Sequence, residues 1–121
     1  MHELSIAVST VESVELLLRD HPGARALSVT LSIGAISGVD PEALANALPI
    51  ASGNTALEGT RFHIETAKAT ARCLDCGAMP DIDPPVFMCG KCSSVNIEIS
   101  TGRDLLIRNV EMEMPQEPRG R

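Results

Sequence analysis

Two pairs of cysteines, Cys73-Leu-Asp-Cys76 and Cys89-Gly-Lys-Cys92, constrain this fold most strongly, and the chain has no other cysteine. Two residues separate the cysteines of each pair, so a tight turn can present both sulfurs to one tetrahedral ion at Zn–S distances of roughly 2.3 Å. Gly77 and Gly90 are expected to supply the backbone freedom of these turns. Twelve residues separate the pairs, enough for the chain to fold back. The spacing predicts a structural zinc site with all four cysteines as ligands.

Two disulfides are the competing interpretation, and the expected compartment argues against them. The N-terminal Met-His-Glu-Leu-Ser carries an acid and lacks the basic region and small-residue cleavage site of a signal peptide. No apolar run approaches the roughly eighteen residues of a membrane span. A cytoplasmic protein is therefore expected, and in that compartment thiols stay reduced and paired C-x-x-C motifs bind metal.

Catalysis is not expected at this site, because four thiolates around zinc leave no open position for water. No Ser-His-Asp or Cys-His set and no glycine-rich phosphate loop is visible elsewhere, so the sequence does not indicate an enzyme. A redox role for the cysteines, or rubredoxin-like iron, remains as one alternative. The paired turns lack aromatic shielding, which favours structural zinc over iron.

Net charge bears on the other alternative, a zinc-ribbon interaction module or a nucleic-acid-binding module. Ten basic and sixteen acidic residues give a net charge of −6. This balance disfavours a protein that must bind a phosphate backbone. Phe62 and Phe87 are the only aromatic residues, so the core must be built from Val, Ile, Leu, Ala and Met.

Apolar periodicity predicts the first two elements. Apolar residues recur at three-and-four spacing over 4–18, which indicates an amphipathic helix that begins at or beside the chain terminus. Asp20-His-Pro-Gly23 ends that helix. Alternation of apolar and polar residues over 27–33 indicates a half-buried strand.

A second helix is predicted from Asp40-Pro41-Glu42, which combines an N-cap, a first-turn proline and a first-turn acid. It should run to about Ser52. Pro49 lies inside it, lacks a backbone donor and predicts a kink or an early end.

The remaining pattern predicts a strand over 60–72, a short strand over 95–99 and a last strand within 103–112. The fold class is therefore α+β, with two helices, a three-stranded mixed sheet and an inserted four-cysteine, zinc-ribbon-like lobe. The expected domains are 1–71 with 101–113, and 72–100. Residues 114–121 have nothing to bury and are expected to be a disordered tail.

Most other polar side chains that could take part in binding or catalysis are expected to be solvated. His21 lies in a predicted turn, and His63 lies on a predicted strand, facing solvent or pairing with Glu65. The same expectation covers four acids, Glu12, Glu15, Asp81 and Asp83.

His2 differs because of its position beside the chain terminus. The Met1 amine, the His2 backbone amide and the His2 imidazole can close two fused chelate rings, an arrangement of nitrogens that Ni(II) or Cu(II) favours. Histidine is too large for the usual removal of the initiator methionine, so Met1 should persist. The first N–H groups of a helix have no intrahelical partner, and the helix dipole favours deprotonated amides.

The sequence resembles the HypA/HybF family of hydrogenase nickel-incorporation proteins over roughly residues 1–112. The resemblance begins with Met-His-Glu-Leu-Ser-Ile-Ala at residues 1–7 and includes both C-x-x-C pairs. It also includes residues 31–39, 40–44, 57–59 and 102–107.

This resemblance implies a non-enzymatic nickel metallochaperone that carries Ni(II) and holds structural Zn(II). Nickel ligands carry over onto His2 with the Met1 amine, and onto Glu3. Asp40 is either a further nickel ligand or simply a helix N-cap. The implied partners are a hydrogenase-maturation GTPase accessory protein and the large subunit of NiFe hydrogenase, and a homodimer is left open. The family's zinc ligands fall on Cys73, Cys76, Cys89 and Cys92.

Overall fold

The computed structural model describes residues 2–115, and in this range the chain forms two helices and six strands. In chain order these are α1 His2–Leu18, β1 Arg25–Gly34, α2 Pro41–Ser52, β2 Arg61–Ala67, β3 Ala69–Cys73, β4 Asp81–Ile82, β5 Ile97–Thr101 and β6 Leu105–Glu113. The strands form two three-stranded sheets, ordered β2-β1-β6 and β4-β3-β5. None of the described helices is long and apolar enough to cross a membrane.

β1 runs antiparallel to β6. Near the start of β1 the Arg25 guanidinium donates to Glu113 Oε1 at 2.9 Å. At its end the Gly34 N–H donates to the Asp104 carbonyl at 2.7 Å. Because residue numbers rise along one strand as they fall along the other, the pairing is antiparallel.

β1 runs parallel to β2 on its other side. The Thr60 hydroxyl donates to the Ala26 carbonyl at 2.9 Å. Further along, the Ala35 N–H donates to the Ala67 carbonyl at 2.9 Å. Residue numbers rise together along both strands, and α2 supplies the long crossover that a parallel pair requires. The first sheet is therefore mixed, as predicted.

The described residues divide into two compact units. The first comprises 2–31, 40–63 and 107–115, and the second comprises 32–39 and 64–106. Apolar side chains of the helices, of β1 and of the turn before β2 are buried in the first unit, including Ala7, Val11, Val14, Val29, Leu31, Leu44, Leu48 and Leu57. In the second unit a smaller core contains Ala69, Ala71 and Ile82, with Ile36, Ile97 and Ile99 against it. The domain limits drawn from the sequence stay a prediction. Most of the expected disordered tail, 116–121, lies outside the described residues.

The predicted bounds of α2, from the Asp40 cap to about Ser52, are confirmed, and Pro49 does not end the helix early. Asp40 Oδ1 accepts from the N–H groups of Glu42 at 3.0 Å and Ala43 at 3.5 Å, as an N-cap should. The helix continues through Pro49 to Ser52. Pro49 lies on the exposed side, while Leu44, Ala47, Leu48 and Ser52 are buried, so packing of that face outweighs the lost backbone bond.

The prediction of a single strand over 60–72 is wrong. It is two strands, β2 and β3, separated at Lys68 and belonging to different sheets. β2 pairs with β1, whereas β3 lies between β4 and β5. An extended apolar pattern shows that a segment can enter a sheet but does not identify its neighbours. The strand predicted over 95–99 is observed as Ile97–Thr101.

Candidate metal centres

The four cysteines meet in the second unit, where their Sγ atoms all lie within 4.8 Å of one another. The Sγ atoms of Cys73 and Cys92 are 3.6 Å apart, and those of Cys76 and Cys89 are 3.8 Å apart. Four sulfurs at roughly 2.3 Å from a tetrahedral zinc ion are separated by about 3.8 Å, so the group fits that ion. Within residues 2–115, no other group of three or more His, Cys, Asp or Glu side chains lies close enough to hold a metal.

Each cysteine pair forms a tight turn that ends on a left-handed residue. The Gly77 N–H donates to the Cys73 carbonyl at 3.0 Å, and the Ser93 N–H donates to the Cys89 carbonyl at 2.8 Å. Gly77 has φ +76° as expected, but in the second turn Ser93, at φ +64°, takes the left-handed conformation, and Gly90 does not. The prediction for Gly90 was therefore wrong, because the turn closes one residue after the second cysteine of the pair.

The four thiols lie so close together that they affect one another's ionisation. A bound dication would relieve the repulsion between their negative charges. The Cys76 N–H lowers the pKa of Cys73 to about 7, and the Cys92 N–H lowers the pKa of Cys89. The Ser94 N–H also lowers the pKa of Cys92, but Cys73, burial and the other cysteines outweigh it and raise that pKa to about 12. A metal ion must therefore displace protons, so acid weakens its binding.

Asp75, which the sequence analysis did not single out, links the two cysteine turns. Its carboxylate accepts from the Ser94 hydroxyl and, at 3.3 Å, from the side-chain amide of Asn96. The Ser94 hydroxyl in turn accepts from the Asn96 N–H at 3.0 Å. These bonds, first from Ser94 and then from Asn96, lower the pKa of Asp75. The only sequence signal was an acid inside the first cysteine pair.

Replacing Asp75 with alanine should speed loss of the cysteine-bound metal to a chelator by about tenfold, because the segment after the second pair loses its anchor. The measurement is the rate of zinc release to a colorimetric chelator at pH 7. Asp20→Ala, in the turn after α1, is the matched control and should release zinc at the wild-type rate. Because the pKa of Asp75 is lowered in the folded protein, its stabilising effect is complete above the unfolded pKa and is lost as the pH falls through the folded pKa. The difference in zinc-release rate between variant and wild type should therefore narrow below pH about 4. Equal rates at pH 7 would contradict this role.

At the other candidate centre, in the first unit, His2 is the first residue of α1. Its side chain is 64% exposed, and its Nδ1 lies 3.9 Å from Glu3 Oε2. That Glu3 oxygen also accepts from the Asp40 N–H at 3.1 Å, which lowers the pKa of Glu3. The starts of α1 and α2 therefore lie together. Met1, the other predicted ligand, is outside the described residues.

Asp40 Oδ1 is engaged as the cap of α2, and in the described part of the chain Asp40, His2 and Glu3 do not come close enough together to form a ligand group. What this end of the molecule offers is an exposed imidazole at the first residue of a helix. The backbone N–H groups there have no intrahelical acceptor and lie at the positive end of the helix dipole. A metal ion can displace the protons of such amides into the solvent at low structural cost.

Of the side chains expected to be solvated, His21 is instead half-buried, and Glu15 also differs from expectation. It is half-buried, and its Oε2 accepts from the Ala56 N–H at 3.3 Å, so it anchors the turn that follows α2. His63 is exposed, as predicted. Asp81 is exposed and lies 3.7 Å from Lys68 Nζ.

One protein-family model, described as hydrogenase/urease nickel incorporation, metallochaperone, HypA, matches residues 1–112. The hydrogenase maturation factor HypA of Chlorobium limicola is 36% identical over 113 residues, which cover 93% of this chain and 97% of that protein. The hydrogenase maturation factor HybF of Salmonella typhimurium is 34% identical over 113 residues, which cover 93% of this chain and 100% of that protein.

The fold is similar to the solution structure of the Ni metallochaperone HypA from Helicobacter pylori. The TM-score is 0.68 at 21% sequence identity, and the match covers 93% of this chain and 98% of that chain. A second solution structure of a HypA protein matches with a TM-score of 0.70 at 22% identity, over 95% and 98% of the two chains. These likenesses establish a shared fold.

Proposed function

The chain belongs to the HypA family of nickel-incorporation metallochaperones, and we propose that it binds Ni(II) through Met1, His2 and Glu3 and delivers it for maturation of NiFe hydrogenase. The observation that carries this proposal is that α1 begins at His2, with the imidazole exposed beside Glu3. A cargo site must bind selectively and still release its ion. A chain terminus suits this task because few ligands must rearrange on transfer.

The nitrogens assigned to nickel are the Met1 amine, the deprotonated His2 backbone amide and the His2 imidazole, which close two fused chelate rings, and Glu3 is the further ligand. This set of nitrogens matches the tetragonal preference of Ni(II). Asp40 can enter as a further ligand through Oδ2, the carboxylate oxygen that does not cap α2. An Asp40→Asn variant keeps an oxygen acceptor for the cap, so a loss of nickel affinity in that variant would favour ligation.

Zn(II) is proposed for the four-cysteine group, with a structural role. The sulfur separations fit a tetrahedral ion, and all four thiolates occupy the coordination sphere, which leaves no position for substrate or water. We therefore assign no catalytic activity to this centre. Its function would be to hold the two cysteine turns of the second unit together.

The partners and setting follow from the family. Relatives are named hydrogenase maturation factors, so the large subunit of NiFe hydrogenase is the proposed recipient of nickel. A GTPase accessory protein of the same maturation pathway is the proposed second partner. The work is proposed to take place in the cytoplasm, where the cysteines would stay reduced for metal binding. A homodimer stays a prediction.

Substituting His2 with alanine should reduce Ni(II) affinity at least a hundredfold while bound zinc stays unchanged, because the imidazole closes one of the two chelate rings. The measurement is calorimetric titration of untagged, zinc-loaded protein with Ni(II), with zinc quantified in the same samples. His63→Ala, an exposed histidine on β2, is the matched control and should bind nickel as the wild type does.

One extra residue ahead of Met1 should also weaken nickel binding, because it moves the terminal amine away from the His2 ring. The proposal fails if the His2→Ala variant still takes up one tightly bound nickel ion. It also fails if the extended chain binds as tightly as the native one.

A further inference from the structure

The four cysteines are not equally accessible, although all of them can hold the same ion. The first cysteine of each pair is buried, Cys73 at 1% and Cys89 at 0% exposure. The second cysteine of each pair, Cys76 or Cys92, is exposed. Reactivity towards oxidants follows thiolate character and exposure, and a zinc-bound sulfur is already a thiolate. An oxidant dissolved in water therefore reaches one cysteine of each pair before the other.

Backbone hydrogen bonds add to this difference. Two N–H groups of the first turn, including that of Cys76 at 3.5 Å, donate to the sulfur of Cys73. Two N–H groups of the second turn donate to the sulfur of Cys89, whereas the sulfur of Cys92 accepts from one, that of Ser94. Because an N–H donor withdraws electron density from a thiolate, it lowers the nucleophilicity of that sulfur. The buried sulfurs are therefore both shielded and less reactive.

Each exposed cysteine also has a buried neighbour in the opposite pair with which it can form a disulfide. The sulfurs of Cys92 and Cys73 are 3.6 Å apart. Those of Cys76 and Cys89 are 3.8 Å apart. The S–S bond of a disulfide is about 2.05 Å long, so the sulfurs of both couples must approach by roughly 2 Å or less. Disulfides of this kind join the two cysteine turns, which a disulfide within either pair does not do.

We propose that the two exposed cysteines, Cys76 and Cys92, are sites of oxidation by hydrogen peroxide. Each then forms a disulfide with its buried neighbour in the opposite pair, and the zinc ion is lost. This inference rests on the zinc proposed for the four-cysteine group. The centre thereby acts as a reversible switch, in which zinc holds the turns together in the reduced state and disulfides hold them in the oxidised state. A thiol reductant reverses the change by exchange.

Each disulfide requires one molecule of peroxide. The exposed thiolate attacks a peroxide oxygen, so that an S–O bond forms, the O–O bond breaks and hydroxide leaves. The buried thiolate then attacks the sulfur of this sulfenic acid, so that the S–S bond forms, the S–O bond breaks and a second hydroxide leaves. Each of the two sulfurs gives up one electron, and the peroxide accepts both.

The test treats the full, zinc-loaded chain with hydrogen peroxide and follows zinc release with a colorimetric chelator. Free thiols are then blocked, and the chain is cut with trypsin and an aspartate-specific protease. This digestion places the four cysteines on separate fragments, 73–74, 75–80, 83–91 and 92–103. Mass spectrometry should find 73–74 linked to 92–103, and 75–80 linked to 83–91. Dithiothreitol should restore the thiols and allow zinc to bind again.

Trapping with dimedone, a reagent that reacts with sulfenic acids, tests which sulfurs the peroxide attacks. Adducts at the two exposed cysteines should exceed those at the two buried cysteines by about fivefold or more. The control is the same chain unfolded in urea with a chelator present. All four cysteines are then open to solvent and should be labelled to a similar extent.

Three outcomes would overturn the proposal. Disulfides within each pair, Cys73–Cys76 and Cys89–Cys92, would exclude the cross-pair connection. Equal dimedone labelling of all four cysteines in the folded protein would remove the role of exposure. Full retention of zinc under peroxide would show that the centre is not a switch. Zinc content before peroxide is added tests the zinc assignment by itself, and the disulfide map can be read whatever that content is.

Discussion

Replacing Cys89 with alanine is expected to remove zinc from the protein and to unfold the cysteine turns of the second unit. Cys89 is fully buried, and its sulfur lies 3.8 Å from that of Cys76. Structural zinc contributes about 10–16 kcal/mol of apparent binding free energy in small zinc-dependent peptides, far more than the small core of this unit can replace. The buried residues of α1 and α2 include no cysteine, so these helices should keep their structure.

The measurement is zinc content per chain together with a ¹H–¹⁵N spectrum. Signals of residues 73–96 should collapse towards random-coil positions, while those of α1 and α2 stay dispersed. Met88→Ala, at an exposed neighbouring position, is the control and should keep one zinc ion per chain. A Cys89→Ala protein with full zinc content and a native spectrum would refute the assignment of this ligand.

Substituting Gly102 with alanine should lower the free energy of unfolding by about 3 kcal/mol or more. Gly102 is buried and has φ +112°, a conformation that side chains rarely adopt. A Cβ at this position would also lie 2.6 Å from the Cα of Ala69, an atom of the backbone that cannot turn aside. The Gly102 carbonyl accepts from the Ile36 N–H at 2.9 Å, so the loop cannot move without breaking that bond.

Urea unfolding of the zinc-loaded protein measures this effect, and a second glycine separates its two causes. Gly59 has φ +87° but open space where its Cβ would be, so Gly59→Ala reports backbone strain alone, about 1–2 kcal/mol. The difference between the two variants measures the collision with Ala69 together with the greater backbone strain at φ +112°. If both variants lost the same stability, close packing at Gly102 would not matter.

Features that depend on a few neighbouring residues could be predicted before the structure was known. Asp40 and Pro41 begin α2 because a cap and a fixed φ act within one turn. Alternation identified β1 as a strand, but the expectation that it is half-buried was wrong, because most of its residues on both faces are buried. The cysteine spacing identified the metal-binding group because two tight turns can face a common ion without help from the rest of the fold.

Features that depend on distant segments meeting could not be predicted. The break at Lys68 exists because β2 and β3 find partners in different sheets. Asp75 bonds to residues beyond the second cysteine pair, and Glu15 bonds to the turn after α2. Each contact joins groups that are far apart in the chain, so no local pattern marks it.

The sequence by itself therefore determined the helices, the strand character of most other segments and the four residues that can hold one metal ion. It also indicated that a helix begins beside His2. Only the tertiary structure decided which strands pair, which residue takes the left-handed turn after Cys92, and that the Asp40 carboxylate is occupied as a cap. The physical reason is that backbone propensity and chelate geometry act over a few residues. Strand pairing and long-range hydrogen bonds depend instead on the free energy of the whole chain.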